Sequence, residues 1–136
     1  MLFSKAGVHS VHAGTPVFNM MAVGDVVPGG RTENFFINKQ AGELLGAAWP
    51  LFSKSDLVLF NLEAPLTTRD TPISKCGSNF RVSPDVAKGL YKAGFTIASL
   101  ANNHMLDHGP EGLSDTKAAL NEAKIHWHGA GNTAKE

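Results

Sequence analysis

FTIASLANNHMLDHG, residues 95–109, decides the reading of this chain. Apolar side chains from Phe95 to Leu100 mark a buried strand, because the run lacks the polar alternation of a half-solvated one. Where that strand leaves the core, the sequence places two carboxamides (Asn102, Asn103), two imidazoles (His104, His108) and a carboxylate (Asp107). In open α/β sheets, ligands bind beyond the carboxyl ends of the strands. This cluster is denser in metal-capable and proton-transferring groups than an ordinary turn. Its structural alternative is an Asx-type turn network.

The rest of the chain organises around that strand. Phe18 to Val23 reads as a first strand whose exit loop is Gly24-Asp25, and Pro28-Gly29-Gly30 as turn material. A helix is expected over Lys39 to Phe52, with Leu44, Leu45, Ala48 and Phe52 on one face and Pro50 limiting its unbroken length. Leu57 to Leu62 is a second apolar strand, followed by Glu63-Ala64-Pro65. Arg69 to Asn79 is polar and shows no periodicity. A further helix is signed by Ser83 as N-cap, Pro84 at its first position and Gly94 after its last turn, with Val86 and Leu90 as its apolar stripe. The helix from Pro110 to Ala123 carries Leu113, Thr116, Leu120 and Ala123, and Ile125 to His128 is a short last strand. Helices alternating with continuously apolar strands predict an α/β fold with a mostly parallel sheet, right-handed crossovers and flanking helices.

Residues 1–16 read as an unstructured extension and 17–136 as the N-terminal part of one domain. The final stretch, Gly129 to Glu136, looks like a loop entering another helix, so the domain is expected to be incomplete at its C-terminus. A half-domain of this kind would expose apolar sheet surface, which predicts a homodimer or poor solubility.

Bulk properties narrow the function classes. Hydrophobic residues make up 43% of the 136, enough for a packed core. Lys plus Arg and Asp plus Glu balance at 12 each, which leaves no global charge to draw nucleic acid or an anionic membrane. No segment has the roughly 18 apolar residues of a membrane span. Met1 to Pro16 carries one lysine and no sustained apolar stretch, so no secretion signal is recognisable. The lone Cys76 excludes an internal disulfide and reads as a bystander in a polar loop.

Three strand exits carry groups suited to a metal or to acid–base chemistry: Gly24-Asp25, Asn61-Leu62-Glu63 and Ala101-Asn102-Asn103-His104. In a parallel sheet these exits share one edge. Carboxylates, a carboxamide and an imidazole suit Mn, Fe or Zn, and such a centre would polarise a phosphoryl or acyl oxygen. Each residue also has a plainer reading: Asp25 as a turn or cap, Glu63 as a solvated loop start.

These residues resemble the capsule synthesis protein CapA family, the poly-γ-glutamate biosynthesis proteins related to calcineurin-like metallophosphatases. The resemblance rests on Gly24-Asp25-Val26-Val27, Asp56-Leu57-Val58 leading to Asn61-Leu62-Glu63-Ala64-Pro65-Leu66-Thr67, and Phe80-Arg81-Val82-Ser83-Pro84. It continues through Ala93-Gly94-Phe95, Leu100-Ala101-Asn102-Asn103-His104 to Asp107-His108-Gly109, Gly112-Leu113, Asp115-Thr116 and Gly129-Ala130-Gly131-Asn132. It implies a metallophosphatase-like fold with a two-layer β core. It implies Asp25, Glu63 and Asn103 as metal ligands, and His104 as the group that protonates a leaving group or stabilises phosphoryl oxygens. Asp107 would orient His104 or bind metal, and the helix opened by Pro110 could help hold an anion.

Val27 stands where the superfamily's Asp-x-His motif has its histidine, and the family's later histidine motifs do not occur within these 136 residues. Two functions follow from the resemblance, beside the reading of an inactive fragment whose half site binds metal weakly and turns nothing over. One is a metal-dependent hydrolase acting on an anionic small molecule or polymer. The other is a non-catalytic accessory subunit that binds an anionic polymer beside a membrane-associated capsule synthase or exporter, placing the protein at the cell envelope.

Two weaker signals remain. Gly24 to Thr32 lacks the Gly-Lys-Ser/Thr ending of a phosphate-binding loop. His126 and His128 alternate on one strand face, the arrangement of a surface pair that picks up metal adventitiously. For His108, a place behind the metal ligands and a solvent-exposed place are both open.

Overall fold

The structure, a computed structural model, describes residues 17–131. The expectations for residues 1–16 and for 132–136 lie outside the described residues. Four strands, β1 (Met20–Val26), β2 (Leu57–Leu62), β3 (Ile97–Ser99) and β4 (His126–His128), form one sheet in the order β1-β2-β3-β4. All three pairings are parallel, as the uninterrupted apolar runs required.

Sequential order in a parallel sheet has a geometric consequence. Each right-handed crossover then steps in the same direction, so every helix lands on the same face. The helices are α1 (Glu33–Ile37), α2 (Ala41–Leu45), α3 (Trp49–Ser53), α4 (Val86–Ala93) and α5 (Gly109–Ala123), and α4 touches each of the other four. Burial follows from this layering. On β2 the residues Val58, Phe60 and Leu62 are fully buried, while Leu57, Leu59 and Asn61 between them are only half-buried. The described residues thus form one layer of sheet and one of helices; the second β layer that the resemblance implies is not among them.

The core joins those β2 side chains to Val86 and Leu90 of α4, Phe95 and Leu100 around β3, and Leu120 and Ile125. Phe95 lies edge-on to both Phe52 and Phe60, with ring centroids 5.0 and 4.8 Å apart. Each such side chain contributes about 1.5–3 kcal/mol by leaving water. That burial holds α1, α2 and α3, because five-residue helices have no stability of their own.

Several element boundaries differ from the sequence-based ones. The expected helix over Lys39–Phe52 is broken into α2, a 3-10 turn at Gly46–Ala48, and α3. Gly46 has φ +51° and Pro50 sits in the first turn of α3, so neither segment can continue through the other. Helix α4 begins at Val86, not Pro84. Ser83 and Pro84 instead form the lead-in turn, in which the Ser83 carbonyl accepts the Val86 amide at 3.3 Å and Ser83 Oγ accepts the Asp85 amide at 3.3 Å. Its far end is as expected: Gly94 adopts φ +100° and its amide closes the helix onto Leu90 and Tyr91. Strand β1 runs past Val23 to Val26, with a register shift between Ala22 and Asp25. The irregularity re-aims Asp25, which therefore lies inside a strand end and not in an exit loop.

Candidate functional site

The register puts four polar residues in one cross-strand row. Asp25 pairs with Asn61, Asn61 with Ser99, and Ser99 with His128. Neighbouring strands in register present side chains to the same face. Since β2 turns Val58, Phe60 and Leu62 toward the helices, this row lies on the face that the helices leave open. Among the described residues the strand order has no reversal, so the row lies along the carboxyl edge of the sheet with no switch point within it. His126 and His128 are exposed on that same face, and His128 ends the row.

Hydrogen bonds tie the exits together. Asn61 donates from Nδ2 to Asp25 Oδ1 at 2.7 Å. Asn102 donates from Nδ2 to Asn61 Oδ1 at 3.0 Å and to the Leu62 carbonyl at 2.9 Å. The Asn102 Oδ1 in turn accepts the His104 amide at 3.0 Å, which is the Asx turn weighed above as the structural alternative. Asn102 is thus the local turn-former and also the link between β2 and β3. Asn103 is left exposed, as is Asp25, and Glu63 is half-buried with its amide on the Val26 carbonyl at 3.1 Å. Asp25 and Asn61 are joined directly, whereas Glu63 and Asn103 flank them without a hydrogen bond to either. Among the described residues, no three His, Cys, Asp or Glu side chains converge. The donor set at the exits is two carboxylates and a carboxamide, hard oxygen ligands that fit a divalent ion such as Mn²⁺.

Beside this row stands a second unit built on Asp107. Its side chain is wholly buried, and its Oδ2 lies 2.7 Å from His104 Nδ1 and accepts the Phe80 amide at 2.6 Å. Its Oδ1 takes an ion pair from Lys75. Burial, the largest single influence, pushes the Asp107 carboxyl up. Hydrogen bonds from Lys75, His104 and the Phe80 amide, with the Lys75 charge, outweigh it and hold the carboxyl below its ordinary value of 3.8. An ionised carboxylate only accepts, so His104 carries its proton on Nδ1, and Nε2 is the acceptor nitrogen of the neutral ring. Both carboxylate oxygens are committed. Asp107 thus contacts His104, Lys75 and the Phe80 amide at once, a geometry that suits the first of the two roles the resemblance implies.

The loop from Arg69 to Phe80, unreadable by periodicity, is a strap over this unit. Arg69 forks onto Asp115 at 2.8 and 3.3 Å, and the hydrogen bonds from Arg69 and then Thr67 hold the Asp115 carboxyl low. The Thr71 amide donates to His108 Nδ1 at 3.2 Å, and the Ile73 amide to the Asp107 carbonyl at 2.9 Å. His108 is 3% exposed; it is a structural acceptor, which settles its placement. At the far end the Phe80 ring lies flat on the His104 imidazole, with centroids 4.0 Å apart and planes 13° off parallel. Lys75 and Phe80 are the residues the sequence reading missed. Nothing local marked Lys75, and Phe80 entered only as part of a matching motif.

The polar, oxygen-rich row lies at the carboxyl ends of parallel strands, the edge at which α/β domains bind their ligands. The family model of the bacterial capsule synthesis protein PGA_cap matches residues 19–136, and the chain belongs to that family. It is 31% identical to the capsule biosynthesis protein CapA of Bacillus anthracis over 128 residues, covering 92% of this chain and 31% of that protein. It is 28% identical to the PGA biosynthesis protein CapA of Bacillus subtilis over 116 residues, 85% of this chain and 30% of that protein. A Mycobacterium tuberculosis protein named "Probable polyglutamine synthesis accessory protein" is 39% identical over 77 residues, 57% of this chain and 20% of its own length. The chain thus spans between a fifth and a third of the length of these relatives. Among the described residues no helix is long and apolar enough to cross a membrane.

Proposed function

We propose that this chain takes part in the biosynthesis of an anionic capsule polymer of the poly-γ-glutamate kind, and that its strand-exit site acts on a phosphoryl or related ester. The supporting observation is the continuous hydrogen-bonded line from Asp25 through Asn61 and Asn102 to His104 and Asp107. It fixes a candidate ligand group and a candidate proton carrier relative to each other, which is what pre-organised acid–base chemistry requires. The names of the Bacillus relatives supply the polymer class.

Asp25, Glu63 and Asn103 are the residues that would hold a divalent ion, which supplies Lewis-acid polarisation of a phosphoryl oxygen when bound. The chain's own groups do the rest. Asn61 holds the Asp25 carboxylate in place, and Asn102 holds Asn61. Asp107 keeps the His104 proton on Nδ1 and balances the charge of the ring when Nε2 takes a second proton. His104 then delivers the Nε2 proton to the leaving oxygen.

The test is His104→Ala in an assay of phosphoester hydrolysis run beside equilibrium binding of an anionic polymer. An acid–base role predicts a loss of turnover of about 10²–10⁴-fold with binding retained. Val27, in place of a ligating histidine, favours a second reading: an accessory subunit that binds the polymer without turning it over. Polymer binding with no metal-stimulated turnover in either protein would establish that one instead.

A further inference from the structure

We infer that Lys75 and Phe80, both on the strap of residues 69–80, are positioning residues for His104. Three contacts converge on one imidazole. Asp107 takes the Nδ1 edge at 2.7 Å. Phe80 covers one ring face at 4.0 Å and 13°. Lys75 fastens the carboxylate that holds the ring, its Nζ also reaching 3.3 Å from His104 Nδ1. Lys75 cannot donate to that nitrogen while Nδ1 carries the proton pointed at Asp107, so its effect on the ring runs through the carboxylate. The Phe80 amide closes the arrangement, because the same residue that stacks on the ring also donates to Asp107 Oδ2 at 2.6 Å.

Placement of the strap depends on this charge pair. Between Arg69, which is half-exposed on Asp115, and Phe80, the strap's only ionic tie among the described residues to the buried core of the site is Lys75–Asp107. The Lys75 side chain is 19% exposed against an Asp107 side chain with no exposure at all. A pair so shielded is little screened by salt. Without Lys75 the strap retains the Thr71, Ile73 and Phe80 amide contacts and the Asn79 bond to the Ile73 carbonyl, but the Asp107 carboxylate that carries both the Phe80 amide and the His104 ring loses its charge partner. The Phe80 ring and the imidazole, both set by that carboxylate, then lose their fixed relation. His104 would keep its backbone position and lose its orientation.

The stack gives a direct readout, because a flat aromatic neighbour shifts the ring protons of His104 upfield. In the proton spectrum of the full chain at fixed pH, the wild type is expected to show His104 Hδ2 and Hε1 upfield of their unstacked positions. Phe80→Leu removes the shift by deleting the ring. Lys75→Met is expected to remove it with Phe80 still present, and Lys75→Arg to restore it by keeping the charge on Asp107. Should Lys75→Met fail to fold, Lys75→Gln keeps a donor to Asp107 without the charge and carries the same expectation. An upfield shift unchanged in a folded Lys75→Met or Lys75→Gln protein would overturn the inference, leaving Lys75 a stabilising clamp only.

That orienting His104 matters for chemistry rests on the hydrolase reading above. In a turnover assay Lys75→Met should then lower kcat by about 10–100-fold with KM little changed. The spectral result does not need turnover. A lost stack without any activity in the wild type therefore counts against the hydrolase, and a kept stack counts against Lys75.

Discussion

Replacing Asp107 by alanine is expected to lower the unfolding free energy by about 3–5 kcal/mol, the cost of stripping one partner from a buried ion pair. Three donors lose their acceptor at once: Lys75 Nζ, His104 Nδ1 and the Phe80 amide. Two of these belong to the strap, so the change loosens residues 69–80 as well as the ring. Denaturant melts of wild type and variant measure the difference, and a loss below about 1 kcal/mol would show that solvent replaces the carboxylate readily.

The same carboxylate governs stability in acid. Its folded value is depressed below 3.8. Its contribution is therefore fully present above pH 3.8 and drains away as pH falls below that toward the folded value. Asp107→Asn should flatten the steepest part of the acid limb. A wild type and variant with parallel acid limbs would remove Asp107 from the list of groups that control it.

Gly89→Ala carries an expected loss of about 3 kcal/mol or more, with failure to fold as its extreme. A Cβ at residue 89 would stand 1.9 Å from the carbonyl oxygen of Phe36 and 2.8 Å from its Cα. Those are backbone atoms of α1, so no rotamer change relieves the clash and α1 must lift off α4. Phe36, 4% exposed, leaves the core with it. Helix propensity pulls the other way, since alanine in a helix interior gains about 1 kcal/mol over glycine. Thermal melts decide between the two. A Gly89→Ala protein as stable as the wild type would mean that α1 and α4 do not approach as closely as the structure has them.

The sheet was legible because the buried positions of β2 and β3 are all apolar, leaving Asn61 and Ser99 as their polar residues on the half-buried face. Leu57–Leu62 and Phe95–Leu100 both bracket observed strands. Helix ends were less legible. Gly94 reads correctly because a left-handed closing residue has one cheap solution. Ser83-Pro84 reads as a cap, though the turn it forms merely precedes the helix, and α1 escaped notice because five residues carry too little periodicity. The three exits and the Asn-Asn-His cluster were legible as a candidate site, and the structure joins Asp25, Asn61, Asn102 and His104 of it in one hydrogen-bonded line. Which asparagine does what was not. Asn102 is drawn inward by Asn61 and the Leu62 carbonyl, and Asn103 outward, by backbone geometry that composition does not encode. Lys75 and Phe80 reach Asp107 across 32 and 27 residues of chain, in a loop whose path no local rule predicts.

The most direct test is metal content, by mass spectrometry of protein purified with manganese and zinc present, beside the Asp25→Ala/Glu63→Ala double variant. Near-stoichiometric metal in the wild type, lost in the variant, is the expected result and places a divalent ion at the strand exits. Equal, trace metal in both proteins would contradict it, and the polymer-binding reading would stand in its place.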